Sequence, residues 1–144
     1  MNVTERFLHY VSFETTSDED GTASPTTAGQ RVFGEFLVKE LATIGMTDAR
    51  IDENGYVYAF LPASAAHEAD PAIGLIAHMD TSPDASGKDI KARITDVYSG
   101  GDIVLNEEKG IVLSPKDFPS LLRNTGKHLI VTDGTTLLGA DDKA

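Results

Sequence analysis

The hydrophobic period changes at Gly45, and that switch commits the chain to helix before sheet. Upstream of it Ala28, Val32, Phe36, Leu37, Leu41 and Ile44 recur at the three-to-four spacing of a core-facing helix stripe. Ser24-Pro25 offers this helix a cap and a first-turn proline, and Gly45 is placed to stop it. An earlier helix is announced by Asn2 with Glu5 three residues on, the capping-box pattern, and Phe7, Leu8 and Val11 fall on one of its faces. The stretch 15–27 between them is rich in Ser, Thr, Asp and Gly and reads as a mobile loop.

Downstream the period is two. Residues 49–52 and 56–61 read as strands around Glu53-Asn54-Gly55, a hairpin turn signal. A proline-bounded loop, 62–71, leads to a compact apolar run at 73–77, short enough for a buried strand. From 81 to 126 glycine and proline punctuate short runs at 92–97, 102–105 and 110–113, with a helical turn at 118–122. A last strand at 129–132 runs into an Asp133-Gly134 turn. Helices first and apolar strands after predict an α/β domain, with a central mixed or mostly parallel sheet flanked by helices.

Composition narrows the function classes. The 144 residues carry a net charge of −11, which argues against a nucleic-acid partner, because phosphate binding needs clustered Lys and Arg. The absence of cysteine excludes disulfides and thiolate metal sites and fits a reducing cytoplasm. The longest apolar runs are far below the ~20 residues that span a bilayer, so no membrane partner is expected. The first residues lack a basic region followed by an apolar core, so no signal peptide is read there.

The chemistry is concentrated at two strand ends. The run 73–77 delivers His78 and Asp80, two residues apart, where α/β proteins build their sites. Alternation along a strand lets 78 and 80 point the same way while Met79 points into packing. Asp80 can then accept a hydrogen bond from the imidazole nitrogen that faces away from a metal, fixing the tautomer and raising the basicity of the ligand. About 0.4 His-x-Asp matches arise by chance at this composition, so the motif gains its weight from placement. The second element is Asp141-Asp142, after an apolar pair and a glycine. Alone it reads as an acidic turn or a helix cap. Beside a histidine site, one carboxylate can bridge two divalent cations ~3.5–4 Å apart. The metal reading requires His78 and Asp141 to converge on a common cation.

Ile76-Ala-His-Met-Asp-Thr-Ser-Pro-Asp84 and Asp133-Gly-Thr-Thr-Leu-Leu-Gly-Ala-Asp-Asp-Lys-Ala144 together closely resemble the co-catalytic zinc metallopeptidase family, in particular its tripeptide-cleaving aminopeptidases. The likeness extends to Arg6-Phe-Leu-His-Tyr-Val-Ser-Phe-Glu-Thr-Thr-Ser17, Pro25-Thr-Thr-Ala-Gly-Gln30 and Glu53-Asn-Gly-Tyr-Val-Tyr-Ala59, so it covers the whole chain. The resemblance implies His78 as a ligand of one zinc, Asp80 as the catalytic aspartate that holds and polarises it, and Asp141 as the carboxylate bridging both metals. Asp142 would follow across a peptide bond that relatives often hold cis. Two Zn2+ per full-length subunit are implied, with short peptides (tripeptides) as substrates. Family members are longer, so residues 1–144 are expected to be the N-terminal part of a truncated catalytic domain. The remaining ligands, the general base and the lid or dimerisation domain would lie elsewhere, and the fragment alone would be inactive. A homodimer, or self-association of the truncated chain, is also expected.

The other candidates read as structural. His9 belongs to the first helix, His67 to a solvated loop and His128 to a strand edge. Asp84 and Asp133 suit turns, and Lys143 suits a helix start. Two rival functions stand beside the aminopeptidase. One is a related dipeptidase, carboxypeptidase or N-acyl amino-acid deacylase of the same fold; the other is a non-catalytic binding domain.

Overall fold

A computed structural model describes residues 1–143, without the side chains of Asp142 and Lys143. In chain order the elements are helices α1 (Val3–Val11) and α2 (Ala28–Thr43), strands β1 (Thr47–Ile51), β2 (Val57–Phe60), β3 (Arg93–Ile94), β4 (Ile103–Asn106) and β5 (Ile111–Leu113), a 3-10 helix (Pro119–Asn124), strand β6 (Ile130–Val131) and helix α3 (Ala140–Lys143). They form two compact units, one of residues 15–83 and one of residues 1–14 together with 84 onward. Among the described residues no helix is long and apolar enough to cross a membrane.

The unit of residues 15–83 is built on α2 and the β1–β2 hairpin. Gly45 ends the helix as its sequence position predicts: it adopts φ +91, its N–H reaches Ala42 O at 3.2 Å, and Met46 N–H reaches Leu41 O at 3.1 Å. These paired bonds satisfy carbonyls that the helix leaves open. The hairpin turn also forms where Glu53-Asn54-Gly55 places it. Asp52 organises it, its Oδ1 accepting from Asn54 N (3.0 Å) and Tyr56 N (2.9 Å), while Gly55 takes φ +86. The two strands pair antiparallel, with an irregularity between Thr47 and Arg50.

The helix start and its buried face both differ from the sequence reading. α2 begins at Ala28 with Thr27 as its N-cap, so Ser24-Pro25 lies ahead of it. That dipeptide is engaged with the hairpin turn instead: Ser24 Oγ donates to Asn54 O at 3.0 Å, and the Pro25 ring lies against Gly55. The buried residues of α2 are Gln30, Phe33, Gly34 and Glu40, whereas Val32 and Ile44 of the expected stripe are 56% and 52% exposed. The reason is Gly34. A Cβ there would stand 2.7 Å from Ile51 Cδ1 and 3.2 Å from Val57 Cγ2, so the hairpin seats itself where the helix has no side chain. That choice rotates the core face toward Phe33, which is 2% exposed and whose burial contributes about 1.5–3 kcal/mol.

Two further expectations are corrected here. The polar stretch 15–27 is not loop throughout: Thr15 is fully buried, and Thr16 forms a parallel bridge with Thr81. The run 73–77 is not a buried strand. No described ladder includes it, and Ile73, Leu75 and Ile76 are 88%, 94% and 99% exposed. An apolar run becomes a buried strand only where neighbouring strands accept its N–H and C=O groups, and periodicity cannot supply those neighbours.

In the other unit α1 carries the expected capping box, Asn2 Oδ1 accepting from Glu5 N and Glu5 Oε2 from Asn2 N, both at 2.9 Å. Val11, at 1% exposure, is the buried residue of this helix. β3 pairs antiparallel with β6, and the pairing continues through Thr95 N to Leu129 O and Tyr98 N to Lys127 O, both 2.8 Å. β4 and β5 form a second antiparallel hairpin, which Arg93 ties to β3 by donating from Nη2 to Val104 O at 2.8 Å. The helical turn expected at 118–122 is the 3-10 helix. The fold is therefore α/β with helices and short antiparallel strands; among the described residues the Thr16–Thr81 bridge is the parallel pairing.

Candidate functional site

His78 and Asp80 lie at the end of the exposed run, just before Thr81, which is 2% exposed. The imidazole Nδ1 stands 3.1 Å from Asp80 Oδ1 and 3.1 Å from Asp80 O. A backbone carbonyl can only accept, so the bond to Asp80 O requires the proton on Nδ1. Met79, between the pair, turns toward the helix: its Cε lies 3.7 Å from where a Cβ of Gly34 would be. The motif is thus split, with polar groups facing outward and a thioether in packing.

Asp141 lies in α3, in the other unit, and is exposed. The segment leading to it is held by Leu137 N–H to Ser86 O at 2.9 Å, and Gly139 turns the chain at φ +67. The side chains of Asp142 and Lys143 lie outside the described residues, and with them the expectations placed there. Among the described residues no group of three or more His, Asp or Glu side chains is arranged to hold a metal. Among the described residues, His78 with its neighbouring carboxylate Asp80 lies in one unit and Asp141 in the other. An imidazole whose other ring nitrogen faces a carboxylate is donor chemistry that suits a divalent metal.

The remaining histidines have local contacts. His9 meets the Phe13 ring edge-on at 5.3 Å, His67 Nδ1 pairs with Asp70 Oδ2 at 2.7 Å in the exposed loop, and His128 Nδ1 lies 2.8 Å from Thr95 O beside the β3–β6 ladder. Asp133 organises the turn its sequence predicts. Its Oδ1 accepts from Thr135 Oγ1 (2.5 Å) and Thr135 N (3.0 Å), and Lys91 Nζ lies 3.6 Å from Oδ2. The Thr135 hydroxyl, then its N–H, and more weakly Lys91, hold this carboxyl below its ordinary 3.8 against some desolvation.

Sequence reading passed over the polar group that secures the motif. Thr81 N donates to Thr15 O at 3.1 Å, and Thr81 O accepts from Ser17 N (3.0 Å) and Ser17 Oγ (3.1 Å). Thr27 Oγ1 donates to Thr16 O at 2.9 Å, and buried Gln30 reaches Thr26 Oγ1 at 3.1 Å. The signal available was the run of hydroxyl residues at 15–17, which composition assigns to loop.

No protein-family model matches the chain. Individual relatives do. The chain is 57% identical over 142 residues to a protein named Peptidase T from Caldanaerobacter subterraneus subsp. tengcongensis, an alignment covering 99% of this chain and 34% of that protein. It is 56% identical over 142 residues to Peptidase T of Clostridium acetobutylicum and 54% identical over 142 residues to that of Halothermothrix orenii, in each case over 99% of this chain and 35% of the relative. The chain spans about a third of the length of the curated relatives it matches.

Proposed function

Because the chain is homologous over 99% of its length to proteins named Peptidase T, we propose that it is part of a zinc-dependent aminopeptidase that releases the N-terminal residue from tripeptides. That match, at 54–57% identity, carries the reading. The His78–Asp80 contact at 3.1 Å supports it, since it gives the imidazole the tautomer a metal ligand needs. In the whole protein His78 and Asp141 would converge on a common cation from a mixed, mostly parallel sheet. Asp142 would follow Asp141 across a cis bond. The remaining ligands, the general base and a lid or dimerisation domain would come from outside residues 1–144. The compartment is the cytoplasm.

Zinc, held in part by His78 and Asp141, would supply Lewis acidity toward water and toward a peptide carbonyl. The residues of this chain have supporting tasks. Asp80 keeps the proton of His78 on Nδ1, which leaves Nε2 as the nitrogen a metal would take. Asp141 would supply carboxylate oxygens to hold the metal. Neither residue is placed here as the base that activates water, so residues 1–144 alone should turn over no peptide.

The test is zinc content and tripeptide hydrolysis of the full-length protein and of its His78→Ala variant, with the isolated chain alongside. Loss of both zinc and activity in the variant, and no turnover by the isolated chain, is the expected result. Unchanged zinc content in His78→Ala refutes the ligand assignment. Turnover by the isolated chain near the rate of the full-length protein refutes its inactivity. Dipeptides, C-terminal substrates and N-acyl amino acids in the same panel separate the related hydrolases, and a metal-free full-length protein would favour the binding domain. The exposed Ile73, Leu75 and Ile76 support a second copy of the chain as a partner, since such apolar surface is readily buried by association.

A further inference from the structure

We infer that Ser17 is a positioning residue for the His78–Asp80 pair, acting through Thr81. The peptide joining Asp80 to Thr81 is held from one side and faces His78 on the other. Its N–H belongs to Thr81 and is held by Thr15 O at 3.1 Å. Its carbonyl is Asp80 O, which lies 3.1 Å from His78 Nδ1. Because a peptide unit is planar, fixing the N–H fixes the direction of the carbonyl on its other side. The orientation of one of the two acceptors at Nδ1 is therefore set by the bridge to residue 15. The following carbonyl, Thr81 O, is held twice by Ser17, through N–H at 3.0 Å and Oγ at 3.1 Å.

Segment 15–17 is itself anchored on the N-terminal side of α2. Thr27 Oγ1 donates to Thr16 O at 2.9 Å, and Gln30 Nε2 lies 3.5 Å from Thr15 O and 3.1 Å from Thr26 Oγ1. Thr15, Thr81 and Gln30 are 0%, 2% and 7% exposed, so the bonds they make are at least partly shielded from competing water and strengthened by the lower local dielectric. On the other side of the motif, residues 61–78 are all exposed and belong to no described ladder. Backbone hydrogen bonds thus tie the motif to its unit through its C-terminal flank. Ser17 Oγ donates directly to the Thr81 carbonyl, while Thr16 Oγ1 meets only the Thr81 hydroxyl, at 3.4 Å.

The purpose assigned to this clamp rests on His78 being a metal ligand, but the clamp can be tested without a metal. The first readout is the 15N spectrum of His78 in the labelled chain at about pH 8, above the ordinary histidine range. In the parent chain Nδ1 carries the proton. Ser17→Ala should shift the ring toward a mixture of tautomers while the amide spectrum of α2 and the hairpin is kept, and Ser17→Thr, which retains the hydroxyl, should restore the parent signature. Thr27→Ala, one bond further back, should move the ring in the same direction by less. A parent-like His78 spectrum in both Ser17→Ala and Thr27→Ala overturns the inference. The second readout is zinc affinity of the full-length protein, expected to fall about tenfold in Ser17→Ala, the lower end of losses for groups that orient a ligand. If the tautomer responds to Ser17→Ala but zinc never shifts Nε2 of His78 in the full-length protein, the clamp stands and the metal reading falls.

Discussion

Replacing Gly34 by alanine tests the account of how α2 meets the hairpin. In an open helix position the change should stabilise by roughly 0.8–1 kcal/mol, because glycine is the poorer helix former by that amount. At position 34 the new methyl would lie 2.7 Å from Ile51 Cδ1, 3.2 Å from Val57 Cγ2 and 3.7 Å from Met79 Cε. Ile51 Cδ1 ends a flexible side chain and can move, at about 0.5–1.5 kcal/mol if it leaves its rotamer. Val57 is stiff at χ1 and can relieve its contact only with the backbone of β2. Overpacking of this kind costs ~1–3 kcal/mol, so the helix gain is outweighed and a net loss of about 1 kcal/mol is expected. The assay is urea unfolding followed by helix signal, as a double-mutant cycle with Ile51→Val, which deletes the nearest methyl. Alone, Ile51→Val should cost ~0.5–1.5 kcal/mol; in the Gly34→Ala background it should cost less or restore stability. A Gly34→Ala chain stabilised by the full helix increment, or two changes that add within about 0.3–0.5 kcal/mol, would refute the reasoning.

Other expectations are local. Asn2→Ala removes the side-chain acceptor for Glu5 N and should destabilise α1 by ~0.5–2 kcal/mol, seen as faster amide exchange in residues 3–11 with β4 and β5 unaffected. Asp133 has a lowered folded pKa, so its stabilising contribution is complete above the ordinary 3.8 and disappears as pH falls through the depressed value. Asp133→Asn should therefore flatten the acid limb of the stability profile below pH 3.8, and an unchanged limb would show the carboxyl to be uninvolved. Ile76→Lys, at a side chain 99% exposed, should leave unfolding within about ±0.5 kcal/mol while reducing self-association in sedimentation; a parent chain that stays monomeric at high concentration contradicts the second half.

What could be read from the sequence was what short-range chemistry decides. The Asn2–Glu5 box, the Gly45 stop, the turn at residues 53–55 and the Asp133–Gly134 turn each depend on a few neighbouring residues, and each is found where the sequence places it. Contacts between distant segments were not legible. Nothing in the spacing of α2 reveals that Gly34 receives Ile51 and Val57, so the apolar spacing runs through Val32 instead of Phe33. Nothing local at 15–17 foretells a partner at residue 81, and the apolar character of 73–77 says nothing of which strand would lie beside it. At the candidate site the pairing of His78 with Asp80 is present although the strand expected to align them is not, whereas the bonds that hold Thr81 needed the fold.

The exposed stretch from Leu61 to His78 contains neither lysine nor arginine. Trypsin consequently has nothing to cut there, while thermolysin, which accepts Leu75 and Ile76, finds its substrate already presented. A digest with the two enzymes in parallel should cut within this span with the second and leave it intact with the first. The nicked product should stay together, because the peptide beginning near residue 76 remains tied through Thr81 to the piece that carries the amino terminus.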